Sequence, residues 1–311
     1  MIPNAGLDNV AVYSPWSSLT GSSNPSSGSE WMAYAAISED SADPAAGDLN
    51  IGTESMRTNS TGGFSISATA IRDPNTNRLG LSVERAYVFN IATSLNITKY
   101  GYVPLSSGGN FSWIDLIRVD PDDPESAPVT LNLVPGDQLQ LWRILTITVP
   151  WSVDLEQFVI TGTLGNDGAG THDAYCGFYA SDNSISEISS NDNSIATLIK
   201  YLFWPTQNRG CYAISGTPNA TRDAAIGSPT GGSSGSNSTL ATYTSGTYYR
   251  DKVFKFTTAQ GNITMTGINL QVGSFAAGNH GFKIVFDDPA TFEKANTHEL
   301  TLTFRVSWQE G

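Results

Sequence analysis

The chain closes on Leu300-Thr301-Leu302-Thr303-Phe304-Arg305-Val306-Ser307-Trp308. Leu300, Leu302, Phe304, Val306 and Trp308 alternate with polar residues, the period of a β-strand with one buried face. Leu145-Thr146-Ile147-Thr148-Val149-Pro150-Trp151 carries the same LTxxVxW spelling at mid-chain. That repetition decides the reading of the fold: one β unit is written twice.

Other blocks recur in the same order. Arg85-Ala86-Tyr87-Val88-Phe89 answers to Arg250-Asp251-Lys252-Val253-Phe254, and Asn96-Ile97-Thr98 with Gly101 answers to Asn262-Ile263-Thr264 with Gly267. Ile117 to Pro121 answers to Ile284 to Asp287, with Asp288-Pro289 following, before each LTxxVxW. A fixed order of matched blocks points to duplication; strand formers such as Val, Phe, Ile and Thr recurring on their own are the alternative.

The length of 311 residues suits two units of roughly 150 residues each. With 39% hydrophobic and 14% charged residues and abundant Gly, Ser, Thr and Asn, the expected fold is all-β. It consists of two tandem antiparallel β-sandwich, jelly-roll-like domains, over 1–153 and 154–311. Ser152 to Glu156 reads as a short linker. Each closing strand is expected at the centre of its sheet. Leu79 to Ala92 and Leu95 to Val103 read as a hairpin with Tyr87, Phe89 and Ile91 on one face, and Val10 to Tyr13 as a short strand. The second half is expected to hold the one short helix, because Ile195, Leu198, Ile199 and Leu202 recur at helical spacing before Trp204-Pro205. Residues 216–238, rich in Gly and Ser, are expected to form a flexible excursion.

The formal charge is −13, from 29 acidic against 16 basic residues, and the first basic residue is Arg57. Such a surface repels phosphate, so no nucleic-acid partner is expected. No apolar run approaches the roughly 20 residues of a membrane-spanning helix, so no membrane partner is expected. Met1 to Gly6 shows no charged segment ahead of an apolar run, so no export signal is expected. Cys176 and Cys211 then read as two buried thiols, with a disulfide as the alternative.

Catalytic constellations are sparse. His172 and His280 read as loop residues and His298 as the start of the closing strand, none beside a nucleophile elbow, and the one GxSxG match, Gly231 to Gly235, falls in the Gly/Ser excursion, where it reflects composition. Asp120-Pro121-Asp122-Asp123-Pro124-Glu125 and Asp287-Asp288-Pro289 read as turns at strand ends. Calcium ligation there is the alternative, though a calcium ion needs six to eight oxygens. No catalytic, cofactor or metal site is expected. Trp16 beside Pro15 and Trp204 beside Pro205 are the expected exposed aromatics for a ligand or partner.

In composition and tandem β pattern the whole chain resembles the capsid-associated, decoration, collar and tail or fibre proteins of bacteriophages. The resemblance is one of style, and no functional residue is carried over. It implies a non-enzymatic structural component of a virion, whose partners are copies of itself and other virion proteins. A glycan- or receptor-binding module is the alternative, and a polysaccharide hydrolase a third.

Overall fold

The computed structural model describes residues 1–12, 31–64, 67–120, 123, 125–160, 170–180, 211–215, 232–233, 238–271, 280–286 and 292–309. After a short helix, α1 (Asn4–Val12), the first half runs through β1 (Tyr34–Ser38), β2 (Glu54–Thr58), β3 (Ser67–Asp73), β4 (Arg78–Asn90), β5 (Leu95–Ile97), β6 (Lys99–Val103), β7 (Trp113–Leu116), β8 (Leu131–Leu133) and β9 (Gln138–Pro150). These strands pair antiparallel in the orders β2-β1-β6-β7, β3-β4-β9 and β5-β8.

Two antiparallel strands follow, β10 (Ser152–Ile160) and β11 (Gly170–Ala180). Then come β12 (Cys211–Ile214), β13 (Gly232–Ser233), β14 (Ser238–Leu240), β15 (Tyr249–Phe256), β16 (Thr264–Met265), β17 (Gly267–Gln271), β18 (His280–Phe286), β19 (Phe292–Glu293) and β20 (Leu300–Ser307). Their orders are β10-β11-β18-β17-β12-β13, β14-β15-β20 and β16-β19. Strand for strand, β12 to β20 repeat the pairing of β1 to β9. The fold is all-β and of sandwich type, written twice, with β11 and β10 added at the β18 edge of the second copy.

Local geometry fixes which residues correspond. The Trp151 amide donates to the Asn77 carbonyl and the Trp308 amide to the Tyr248 carbonyl, both at 2.9 Å. Asn77 (φ 54°) and Tyr248 (φ 52°) are both left-handed and both stand immediately before the strand that pairs with the closing strand. Asn takes this conformation easily; Tyr does so at a cost, so the turn is held by its surroundings. The shared glycine of the NITxxG blocks has a physical reason as well. A Cβ on Gly101 would sit 2.7 Å from the Trp113 carbonyl oxygen, and one on Gly267 would sit 2.6 Å from the Ile284 carbonyl oxygen. In each copy the β6-type strand therefore approaches its neighbour too closely for any side chain.

The cores follow from the alternation. In the first copy Ala35 and Ile37 of β1 meet Tyr87 and Phe89 of β4 and Tyr102 of β6 between the two larger sheets, with Leu139, Leu141 and Leu145 of β9 packed alongside. In the second copy Ala213, Phe254, Phe256, Ile268 and Leu300 do the same. The expected face of the closing strand is borne out, although only Leu300 is fully buried and Leu302 and Phe304 pack from the margin.

Several expectations need correction. The LTxxVxW and NITxxG matches hold in register, but two other blocks slip. Arg250 lies opposite Val306 as Leu79 lies opposite Val149, so Arg250 corresponds to Leu79 and not to Arg85. Ile284 lies opposite Ile268 as Trp113 lies opposite Tyr102, so Ile284 corresponds to Trp113 and not to Ile117. Strand composition alone aligned those blocks. The closing strands are the outer strands of three-stranded sheets, not central ones. Leu79 to Val103 is no hairpin, because β4 pairs with β3 and β9 while β6 pairs with β1 and β7. Ser152 to Glu156 is not a linker but the start of β10, strapped by the Asn77 side chain, which accepts from the Ser152 amide at 2.9 Å. Val10 to Val12 is the end of α1; a window that short cannot separate a period of 2 from one of 3.6. The helix expected over Ile195–Leu202 lies outside the described residues. Within 216–238, Gly232–Ser233 pairs with Cys211 and Tyr212, and β14 begins at Ser238.

Helix α1 spans both copies. Trp31 Nε1 donates to the Gly6 carbonyl (2.9 Å) and Asn9 Nδ2 to the Asn110 carbonyl (2.7 Å) on the first-copy side. On the other side Trp308 Nε1 donates to the Leu7 carbonyl (2.8 Å) and Arg250 Nη1 to the Ala11 carbonyl (3.1 Å), a cation at the negative end of the helix. Asp8 accepts from Tyr243 Oη (2.5 Å), Ser245 Oγ (2.5 Å) and the Gly246 amide (2.8 Å).

Candidate functional site

The correspondence between copies acts as an internal control, because a position that differs chemically between them is not dictated by the shared fold. The largest such differences gather on β9. Its inward phase reads Leu139, Leu141, Arg143, Leu145, placing a cation where the alternation calls for an apolar side chain. Leu300, a core residue, holds the matching place in the second copy.

Arg143 is only 4% exposed. Its Nη1 donates to the Met32 carbonyl (3.1 Å) and to Tyr87 Oη (3.2 Å), while Nε and Nη2 are buried without a hydrogen-bond partner. Directly across the ladder stands Arg85, also buried, with Nη2 donating to the Asn59 carbonyl at 3.3 Å. Both guanidiniums flank one ring: the Arg85 and Arg143 Cζ atoms lie 4.8 and 5.8 Å from the centre of Tyr87. Among the described residues no carboxylate pairs with Arg143.

Arg143 borders a cleft of about 380 Å³ at the side of the sandwich, between β9 and the opposing β6 and β7. Tyr100 and Tyr102 of β6, Trp113 of β7, Trp142 of β9 and Trp31 supply its aromatic lining. Tyr100 and Tyr102 meet edge to face at 5.9 Å. Burial raises the Tyr102 phenol well above its ordinary value; burial, then Asp115, raises that of Tyr100, so both keep their protons at neutral pH. No acidic side chain lines the cleft among the described residues. A second cleft, of about 400 Å³, surrounds Arg57, but that guanidinium is engaged by Glu54 and by the Leu105 and Gly108 carbonyls.

The outward phase of β9 differs between copies too. Trp142 is 47% and Ile144 68% exposed, and Phe64 packs edge to face on Trp142 at 5.2 Å. The matching residues of the second copy are Glu299 and Thr301. Glu299 pairs with Lys255 at 2.7 Å, and further along β20 Arg305 pairs with Asp251 at 2.7 and 2.8 Å.

Of the residues singled out in the sequence, Trp16 and Trp204 lie outside the described residues. Trp151 is buried under Arg72, whereas Trp308 is half-buried and stacked with Tyr243. His172 is in β11 opposite Phe158, and His280 opens β18 opposite Ala180, so both are on strands rather than loops. The His298 ring meets Thr297 Oγ1 through Nδ1 at 2.9 Å, and its amide donates to the Ala295 carbonyl at 3.2 Å. Cys211 is buried and free, its thiol pushed up by desolvation; Cys176 stands in β11 opposite Ile284. In the first Asp-Pro segment the Glu125 amide donates to Asp123 and the Ser126 hydroxyl to the Asp120 carbonyl, the bonds of a turn. Asp287 to Pro289 lies outside the described residues. Arg143, Trp142 and Ile144 were missed, though the signal stood in the sequence: within Gln138 to Pro150 a cation falls in the apolar phase and two large apolar residues in the polar one.

Comparison of the chain with protein-family models, with curated proteins and with solved structures finds no match.

Proposed function

We propose that this protein is a structural component of a virus particle, acting through contacts with further copies of itself, in which the β9 edge is the docking surface. The observation that carries the reading is the asymmetry between β9 and β20. Among the described residues β9 pairs only with β4, leaving thirteen residues of strand open on the other side. An open edge recruits other strands unless charge or proline guards it. β20 and its approach are guarded by Glu299 and Arg305, each in an ion pair. β9 presents Gln138, Gln140, Trp142, Ile144, Thr146 and Thr148 and has no outward charge. A subunit that completes its sheet against a neighbour needs such an edge on one copy and a protected edge on the other. The low charge content and the doubled β unit fit the same role, with one domain per copy divided where β10 begins at Ser152.

Light scattering on the purified chain tests this. A discrete oligomer is expected, and Ile144→Lys should reduce it to a folded monomer with an unchanged circular dichroism spectrum. A wild-type chain that stays monomeric at high micromolar concentration would overturn the reading.

A further inference from the structure

The cleft beside Arg143 carries a second function, at a site that borders the docking edge and shares Trp142, Ile144 and Thr146 with it. We propose that the Arg143 cleft binds a carboxylate-bearing sugar unit, such as a uronic or sialic acid residue of an acidic glycan. Burying a cation without a counter-charge is costly, and a site that keeps one has a use for it. The fold does not require it, because the second copy fills the same place with Leu300 and the facing place with Phe256. Two donor positions of the guanidinium, Nε and Nη2, have no acceptor and are closed to solvent; together they form the fork that a carboxylate engages with two parallel hydrogen bonds, and the side chains over them must part to admit it.

The walls indicate what carries that carboxylate. Tyr102 and Trp113 stand where the second copy has Ile268 of the core and Ile284 packed against it, so two positions that are aliphatic there are aromatic beside this cleft. Aromatic faces with protonated phenols and an indole N–H suit the apolar faces and hydroxyls of a sugar ring. A volume of about 380 Å³ holds one or two such rings. A phosphate would meet the same arginine, but it has no apolar face to set against Tyr102, Trp113 and Trp142; the −13 chain opposes every polyanion at long range, so a single acidic sugar unit suits the cleft better than a highly charged polymer.

The test is ligand-observed NMR and calorimetry on the full chain with glucuronic acid and N-acetylneuraminic acid, and with glucose and N-acetylglucosamine as neutral counterparts. The acids should bind at millimolar concentration or better, and the neutral sugars about tenfold or more weakly. Arg143→Leu installs the residue of the second copy, so it should fold and melt normally while losing that preference; Arg143→Lys should weaken binding of the acids while keeping the sign of the preference. Equal binding of neutral and acidic sugars, or acid binding that survives in Arg143→Leu, would overturn the proposal. Absence of any sugar binding would also overturn it; if Arg143→Leu then changed the oligomeric mass, the guanidinium would belong to a carboxylate of a neighbouring subunit. Ile144 also lines the cleft, so Ile144→Lys serves only the oligomer test; the mass of the wild-type chain decides the docking reading and its preference for acidic over neutral sugars decides this one, so the two readings fail separately.

Discussion

Arg85 and Arg143 face each other across the β4–β9 ladder, both buried, where the second copy puts Phe256 opposite Leu300. Like charges in directly opposed positions destabilise a sheet. The pair is tolerated because each guanidinium leans on the Tyr87 ring and reaches a carbonyl, that of Asn59 or of Met32. Replacing both with the pair of the second copy, Arg85→Phe with Arg143→Leu, should therefore stabilise the protein by about 1–4 kcal/mol. The urea midpoint should rise at unchanged m-value. A fall of similar size would mean that the arginines are structural.

Gly101→Ala and Gly267→Ala should each destabilise by about 1–3 kcal/mol, because the new methyl would press on a backbone carbonyl that strand pairing holds in place. Their effects should add in the double variant, since the two sites share no partner. Chemical denaturation of the three variants checks this; a neutral substitution at either glycine would break the equivalence of the two NITxxG segments.

Phe254 is fully buried and Phe304 packs edge to face against it at 5.6 Å from the margin of the core. Phe254→Ala should cost about 3–5 kcal/mol and Phe304→Ala less than that. Phe304→Asp should unfold the second copy, since a carboxylate there would lie against Phe254. Tryptophan fluorescence and near-UV circular dichroism report the loss; a Phe304→Asp chain that melts like the parent would move this residue out of the core.

Asp8 ties α1 to the second copy, and its pH response has a definite sign. Burial would raise its carboxyl, but the Gly246 amide and the Ser245 and Tyr243 hydroxyls outweigh it and hold the group below its ordinary value. A lowered folded value means that the unfolded chain binds the proton more readily, so the stabilisation is complete above the unfolded carboxyl range, near 4, and fades as pH falls through the folded value. Asp8→Asn should cost on the order of 1 kcal/mol at neutral pH and flatten the loss of stability in acid. Melting curves from pH 7 to pH 2 would show it; identical acid profiles would contradict the assignment.

The parts of the fold legible in the sequence were those with a strict period or a rare spelling. LTxxVxW survived because alternation and a terminal tryptophan act together, and NITxxG because only glycine fits beside a neighbouring carbonyl. The slipped blocks, Arg85 to Phe89 and Ile117 to Pro121, failed because strand formers resemble one another in any register. The central placement of β9 and β20 failed because an apolar face shows which side of a strand is buried and says nothing of whether both edges are paired. Arg143 could be found from its phase in the alternation, but its meaning emerged only beside Leu300, once hydrogen bonding had fixed which residues correspond.

Hydrogen exchange across β9 as a function of protein concentration tests the docking claim most directly, because an open edge and a completed one differ in amide protection. Amides of Trp142, Ile144 and Thr146, which alternate with those bonded to β4, should become protected as the oligomer forms, while those of Thr301, Thr303 and Arg305 in β20 stay unchanged. Protection of β9 that is independent of concentration, or that rises equally on β20, would contradict the account.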